Sequence, residues 1–223
     1  MSVKFAGIVL AGMLSCEAAC LAGQASEVRL PAPQRDGKVA VERCLAIRRS
    51  VRAYREDALK LAELSQLLWA AQGMTGGDRL RTAPSAGALY PLEIYVLAGN
   101  VEGLTAGIYK YRPERHDLVR VAQQDRRRAL AEAALGQQFI AQAPAVFVIA
   151  GVYERTARRY GERAPRYVHI EVGHAGQNIC LQAVALGLGS VSVGAFRDPE
   201  VKRVAGLADD ESPLYIIPVG RAR

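Results

Sequence analysis

The run Ala145–Val152 constrains the fold of this chain more than any other segment, because it has no polar side chain and is rich in β-branched and aromatic residues. Such a run is short for a helix but suits a strand that is buried on both faces. The segment Leu92–Leu97 is apolar apart from Glu93 and Tyr95 and also predicts a buried strand. These two strands predict a sheet in the interior of the fold.

Helices are predicted around these strands by apolar residues at three- and four-residue spacing. Val39–Ile47 and Leu61–Gln72 show this spacing, and Gly73 can end the second helix as a C-terminal cap. A long helix is predicted over Pro165–Ala185, with proline in its first turn and Gly187 after its end. The other predicted elements are a hairpin of Ile108–Tyr111 and Leu118–Val121, a helix from Asp125 to Leu135, a short strand at Val191–Val193, a short helix from Asp198 and a last strand at Leu214–Val219. The alternation predicts an α+β fold.

Two glycines inside the long helix, Gly173 and Gly176, indicate close packing on its surface. A glycine in mid-helix costs about 1 kcal/mol relative to alanine, so another interaction should offset that loss. The packed surface could belong to a second copy of the chain or to another element of the same chain. The sequence leaves both interpretations open.

Composition favours one domain, because half of the 223 residues are apolar and can form a sizeable core. The net charge of +7 raises the question of a nucleic-acid partner. Acidic residues are interspersed with the basic ones, and the sequence has no helix-turn-helix, zinc-finger or stacked-aromatic RNA signature. We therefore interpret the basic residues as a solvated surface and predict no nucleic-acid partner.

The first 25 residues have the pattern of a secretory signal peptide: Lys4, then an apolar run of about ten residues, then small residues before a cleavage point. The apolar run is too short for a stable membrane span. Cys16 leaves a lipoprotein signal open, and a misassigned start is a further alternative. We predict a signal at 1–25, a polar lead-in at 26–38 and one domain at 39–223. The protein would then be exported to the periplasm, or cytoplasmic if the signal is not genuine.

Of the four cysteines, Cys16 and Cys20 lie in the predicted signal. The other two, Cys44 and Cys180, lie in apolar, helix-like surroundings and are predicted to be buried free thiols. Whether they could pair is not decided by sequence. The cysteines and histidines show neither metal-ligand spacing nor a catalytic triad, so no metal site is predicted.

The candidate site begins with the segment 48–52, where Arg48, Arg49, Ser50 and Arg52 place three guanidinium groups beside a hydroxyl. Guanidinium groups bind phosphate bidentately and keep their charge, so the cluster could hold a phosphomonoester. The alternative is a solvated helix end, where arginines complement the helix dipole. A second candidate is the loop 83–91, in which prolines flank Ser85 and small residues whose backbone a ligand can approach closely.

Together with the stretch 187–196 and the terminal Pro218-Val219-Gly220-Arg221, these segments resemble the nitroreductase family of FMN-dependent oxidoreductases. The loop Ser85 to Pro91 and the hairpin 107–111 are most similar to its SagB-type dehydrogenase branch. The resemblance covers residues 40 to 223 and implies a mostly antiparallel central sheet flanked by helices. It also implies a homodimer whose two FMN sites are shared between subunits.

The resemblance also implies the roles of individual residues. Arg48, Arg49, Ser50 and Arg52 match the segment that contacts the phosphate, the ribityl chain and the pyrimidine edge of FMN. Gly220 and Arg221 match a second phosphate contact. The loop that the partner subunit lays against the flavin ring is matched by Pro84, Ser85, Ala86 and Ala88, and the segment on the other side of the ring by Val193, Gly194 and Ala195. A catalytic protein residue is not assigned.

The sequence departs from the family at two points. Many relatives carry a Glu-Gly pair where this chain has Gly194-Ala195, and the Lys-Tyr pair of azoline-oxidising relatives cannot be placed. We predict an FMN-dependent oxidoreductase that passes hydride from a donor such as NAD(P)H to a flat conjugated small molecule. The alternatives are a non-catalytic FMN-binding or sensing protein and a surface protein that binds phosphate or polyanions.

Overall fold

The computed structural model describes residues 27–77 and 79–223. Its strands are β1 (Glu27–Arg29), β2 (Leu59–Lys60), β3 (Leu92–Ala98), β4 (Val101–Glu102), β5 (Gly107–Arg112), β6 (Asp117–Ala122), β7 (Ala145–Gly151), β8 (Gly189–Ser190) and β9 (Ser212–Gly220). Seven of them form one sheet in the order β1-β6-β5-β3-β7-β9-β8, and every neighbouring pair in it is antiparallel. The other two, β2 and β4, form a short parallel pair.

Helices cover both faces of this sheet. They are α1 (Val41–Ile47), α2 (Leu61–Gln72), α3 (Arg127–Ala133), α4 (Phe139–Gln142), α5 (Tyr153–Tyr160), α6 (Ala164–Ala185) and α7 (Asp198–Ala205). Along β7, Phe147 and Ile149 join the core that contains α2 and α6, whereas Val146 and Val148 join the core that contains α3, α4 and α7. Side chains alternate between the faces of a strand. Because β7 is covered on both faces, every one of its positions is apolar. The prediction of a buried strand is therefore confirmed, and the arrangement of helices on both faces of the sheet confirms the α+β fold.

Several predicted boundaries are confirmed. The observed α2 spans the predicted residues, and α6 begins one residue before Pro165 and ends at Ala185 as predicted. Gly187 follows with a φ of +70°, a left-handed conformation that suits glycine. Gly73 ends α2 for a different reason, because its φ is −66° and a Cβ atom there would collide with the ring of Trp69.

Other predictions need correction. The strand predicted at Val191–Val193 lies instead at Gly189–Ser190, and Val193 forms only an isolated bridge with Ile216. Helix α5 was not predicted, because half of its residues are charged and it buries only Thr156. Residues 27–29, which we assigned to a polar lead-in, pair with β6 at the sheet edge.

The two helix glycines differ in their surroundings. Gly176 packs inside the chain, since a Cβ atom there would lie 3.0 Å from the ring of Tyr215. A Cβ atom on Gly173 would meet no atom within 4 Å, so this part of α6 faces open space. Cys44 and Cys180 are buried free thiols, as predicted.

The predicted signal peptide at 1–25 lies outside the described residues. Within 27–77 and 79–223, no helix is long and apolar enough to cross a membrane.

Candidate functional site

The arginine cluster lies beside the strands at one edge of the sheet. Ser50 forms a parallel bridge with Ser190 of β8, and the Val51 amide donates to the Ser190 carbonyl at 2.9 Å. Further along, the Arg55 amide donates to the Arg221 carbonyl at 2.9 Å. These backbone bonds bring the segment 48–55 together with β8 and the C-terminus, three segments that are far apart in sequence.

In this cluster Arg49 and Arg52 are exposed, and Arg48 is half-buried. Within the part of the chain that the structure describes, Arg48, Arg49 and Arg52 form no ion pair with a carboxylate. Arg49 donates to the carbonyl of Arg48 at 2.8 Å, and the guanidinium of Arg52 lies 5.9 Å from the ring centroid of Phe139. Unpaired guanidinium groups beside the exposed Ser50 form a donor set that suits a phosphate group. Their charge supports an anion site over a helix end that is merely solvated.

Arg221 differs from these arginines because it already has an acidic partner. Its Nη2 atom lies 2.9 Å from Oε1 of Glu63 on α2, and the Arg221 side chain is three-quarters buried. The Lys60 amide also donates to Glu63, so the carboxylate caps α2 while it holds the arginine. An anion at this point would share Arg221 with Glu63. Glu63 was not predicted as a site residue, because in the sequence it has only the pattern of an acidic residue in the first turn of a helix.

The segment Val193–Ala195 is anchored at both ends and exposed in the middle. The Val193 amide donates to the Ile216 carbonyl at 2.8 Å, and Gln137 donates to the Ala195 carbonyl at 3.0 Å. Gly194 is exposed, and a Cβ atom there would meet no atom within 4 Å. The backbone of this segment is therefore fixed in place yet open to a flat ligand.

The Ser85–Tyr90 loop has an unusual backbone. Gly87, Ala88 and Tyr90 have φ values of +61°, +54° and +47°. Left-handed backbone is unfavourable for residues other than glycine, at a cost of about 1–3 kcal/mol each, and persists only where the surrounding structure holds it. Within the loop, the Tyr90 amide donates to the Ser85 hydroxyl at 2.9 Å.

The loop lies away from the arginine cluster in the same chain. Its Ala86 amide donates to Glu171 of α6, whereas Ser192, beside β8, lies 3.6 Å from the sulfur of Cys180. These two helix positions are separated by about 14 Å along the helix axis. One chain therefore brings three of the four predicted segments together, and the fourth lies further along α6.

Glu171 is a buried carboxyl that the sequence analysis missed. Its side chain is 3% exposed, its Oε1 accepts the Ala86 amide hydrogen at 2.9 Å, and its Oε2 is buried with no partner among the described residues. Burial raises the pKa of Glu171, against the opposing effects of the Ala86 amide, the Ser85 hydroxyl and His174. One signal could have found it, because Glu171 is the single acidic residue between 164 and 185.

A cavity of about 550 Å³ borders the loop at Ala88 and Tyr90, and two residues of its wall, Lys110 and Glu93, belong to a paired charge network. Lys110 lies 2.6 Å from Glu211 and 3.2 Å from Glu93. Tyr95 donates to Glu211 at 2.6 Å. Burial disfavours the Lys110 ammonium, but the two carboxylates outweigh that effect and raise the pKa of Lys110. Arg155 also pairs with Glu93, so two cations balance the two carboxylates and this network is structural.

No group of three His, Cys, Asp or Glu side chains that could hold a metal ion occurs among residues 27–77 and 79–223.

Comparison with known proteins gives a consistent result. The family model "Nitroreductase family" matches residues 45–221 of this chain. A protein assigned as a nitroreductase in Methanocaldococcus jannaschii is 51% identical over 199 residues, which cover 89% of this chain and 98% of that protein.

Two solved structures, both assigned as nitroreductases, have the same fold. The structure from Ralstonia eutropha has a TM-score of 0.78 and 28% identity, and the match covers 88% of this chain and 90% of that one. The structure from Anabaena variabilis has a TM-score of 0.79 and 33% identity and covers 89% of this chain. This chain spans 42% of the length of the Anabaena protein.

Proposed function

This chain belongs to the nitroreductase family, and from that premise we propose that it is an FMN-dependent oxidoreductase that works as a homodimer. Membership of this family supports an oxidoreductase of flavin type. The finer assignment to FMN rests on one observation, the unpaired guanidinium groups of Arg48, Arg49 and Arg52 beside Ser50. FMN carries a phosphomonoester, and this donor set suits such a group.

The residues of this chain would bind and orient the cofactor. We assign the phosphate to Arg48, Arg49 and Ser50, with Gly220 and Arg221 beside them. Arg52 would lie at the pyrimidine edge, where a cation stabilises negative charge. Bound FMN would supply hydride transfer at N5, from a donor such as NAD(P)H to a flat conjugated acceptor. The protein contributes binding, orientation and tuning, so no protein acid or base is assigned.

A second copy of the chain would complete the site. The Ser85–Tyr90 loop is separated from the arginine cluster along α6, so we propose that Pro84, Ser85, Ala86 and Ala88 act in the site of the partner. Exposed apolar residues support a paired surface: Val41, Leu45 and Ile47 on or beside α1, and Ile170 on α6, are 41–55% exposed. The open face at Gly173 on α6 gives a partner helix room to approach.

The SagB-type branch remains part of this proposal, supported by the loop from Ser85 to Pro91. A non-catalytic FMN-binding or sensing protein is the second candidate. The observation that favours it is the pair Gly194-Ala195, which supplies no polar side chain where many relatives carry glutamate.

The first test is an absorption spectrum of the purified full chain with FMN, before and after anaerobic addition of NADH or NADPH. Flavin bands that bleach would support the enzyme. Bands that persist with either nucleotide but bleach with an artificial reductant would favour the binding or sensing protein. Failure to retain FMN would overturn both.

A second prediction addresses the assignment of the arginine cluster to FMN. We expect replacement of Arg48 and Arg52 by alanine to weaken FMN binding at least tenfold, because each hydrogen bond to a charged group contributes about 1.5–3 kcal/mol. Arg43→Ala is the matched control, since Arg43 is an exposed arginine on the neighbouring helix α1. FMN fluorescence titration measures the affinity, and unchanged affinity in the double variant would rule out the assignment.

A further inference from the structure

Helix α6 is connected to the Ser85–Tyr90 loop by one buried side chain, that of Glu171. We propose that Glu171 is a positioning residue that holds this loop in the shape required to contact FMN bound to a second copy of the chain. The inference rests on the proposed function, because it assumes that the loop contacts FMN.

The contact is local and specific. Oε1 of Glu171 accepts the Ala86 amide hydrogen at 2.9 Å, at the start of the turn that contains Gly87 and Ala88. The other end of the loop is held separately, because Arg155 donates to the Tyr90 carbonyl at 3.2 Å. Glu171 therefore holds the first half of the loop, whose residues are those proposed to contact the ring.

Helix α5 closes the loop from another side. A Cβ atom on Gly87 would lie 2.9 Å from the Tyr160 hydroxyl and 3.0 Å from Nη1 of Arg159. The turn is thus confined between α5 and α6, and its left-handed residues cannot relax outward freely. A loop that is held in place before binding loses less conformational freedom when a ligand binds, which favours affinity.

Glu171 carries an ionisable carboxyl group where a neutral hydrogen-bond acceptor would be sufficient for a structural contact. Any acceptor could receive one amide hydrogen, yet this position carries a carboxyl group whose Oε2 is buried without a partner among the described residues. A buried carboxyl group with an unpaired oxygen is unfavourable. This cost is offset because an ionised carboxylate accepts the Ala86 amide hydrogen more strongly than a neutral acceptor would.

The test compares Glu171→Ala, Glu171→Gln and the control Glu154→Ala by FMN titration of the full chain. Glu154 is an exposed glutamate on the neighbouring helix α5. We expect the alanine variant to bind FMN about 10- to 100-fold more weakly. Glutamine retains an acceptor oxygen, but a neutral and weaker one, so it should recover part of the affinity, while the control should match the wild type.

A second variant acts from the loop side and leaves α6 intact. Ala86→Pro removes the amide hydrogen that Glu171 accepts, and Ser85 already has the extended backbone (φ −134°, ψ 139°) that precedes a proline. We expect Ala86→Pro to weaken FMN binding, and the combination with Glu171→Ala to be no weaker than either single variant, since both remove the same contact.

The outcomes are distinguishable. Wild-type affinity in Glu171→Ala, or additive losses in the double variant, would overturn this inference alone. If Glu171→Ala does not fold, the test rests on the loop variant Ala86→Pro. Wild-type FMN affinity in folded Ala86→Pro would overturn the inference. A wild-type chain that does not bind FMN would overturn the proposed function together with the inference.

Discussion

Glu171 fixes the Ser85–Tyr90 loop, but burial of its carboxyl group destabilises the folded chain when the group is ionised. Burial raises its pKa, so the folded chain favours the protonated carboxyl more than the unfolded chain does. As pH rises above the ordinary glutamate value of 4.5, the folded state loses stability relative to the unfolded state. The contribution of Glu171 to the free energy of unfolding is therefore most favourable below pH 4.5.

The corresponding prediction is a change in the pH dependence of the melting temperature. Glutamine cannot ionise, so Glu171→Gln should lack this loss. We expect the difference in melting temperature, variant minus wild type, to rise between pH 4 and pH 8. Differential scanning fluorimetry of both proteins, with Glu154→Gln as the control, measures it. A difference that is constant or falls with pH would show that the carboxyl is not destabilised by burial.

At the scale of elements, the strand β5 joins β9 through an ion pair. Lys110 of β5 contacts Glu211, whose side chain is 2% exposed and which precedes β9. Hydrogen bonds from Lys110 and Tyr95 outweigh burial and lower the pKa of Glu211. A depressed pKa stabilises the fold above the ordinary glutamate pKa, and this stability is lost as pH falls.

Lys110→Met should therefore leave Glu211 buried without its cation. Removing one partner of a buried pair costs about 3 kcal/mol, and we expect a loss of that size in the free energy of unfolding at pH 7. Urea unfolding measures it, with the exposed Lys38→Met as the control. The loss should shrink as pH falls, because a buried Glu211 carboxyl without its cation is protonated more readily. An equal loss at pH 7 and pH 4 would mean that packing, rather than charge, explains it.

The same scale shows which elements the sequence can predict. Helices α2 and α6 were predictable because their apolar spacing and their proline or glycine signals agree with the tertiary structure. Half of the residues of α5 are charged, so only its packing against α6 reveals this helix. The strand at 189–190 was misplaced because the valines at 191 and 193 suit a strand, yet Gly189 is the residue that fits against Val51.

The candidate site was predictable only where its residues have a local sequence signature. Guanidinium groups and loop glycines have local signatures, so the segments at 48–52 and 193–195 could be singled out from the sequence. Glu63 and Glu171 act through contacts with residues 158 and 85 positions away, and no local pattern encodes such distant pairs.

At the scale of the whole molecule, the proposed dimer makes the site a property of two chains. The arginine cluster of one chain would be completed by the Ser85–Tyr90 loop of the other. Two kinds of variant should then complement each other. Arg48→Ala with Arg52→Ala damages the cluster, and Gly87→Val damages the loop, because a β-branched residue is strained at a φ of +61° and would collide with Tyr160.

Co-expression of the two variants with different tags, followed by purification on both tags, isolates mixed dimers. In such a dimer one site combines both defects and the other has neither. We therefore expect FMN titration to give about one high-affinity site per mixed dimer, half of the wild-type number, while each variant alone has none. Mixed dimers without any high-affinity site would place the whole site in one chain. Failure to recover doubly tagged protein, when two differently tagged wild-type chains also fail, would refute the dimer itself.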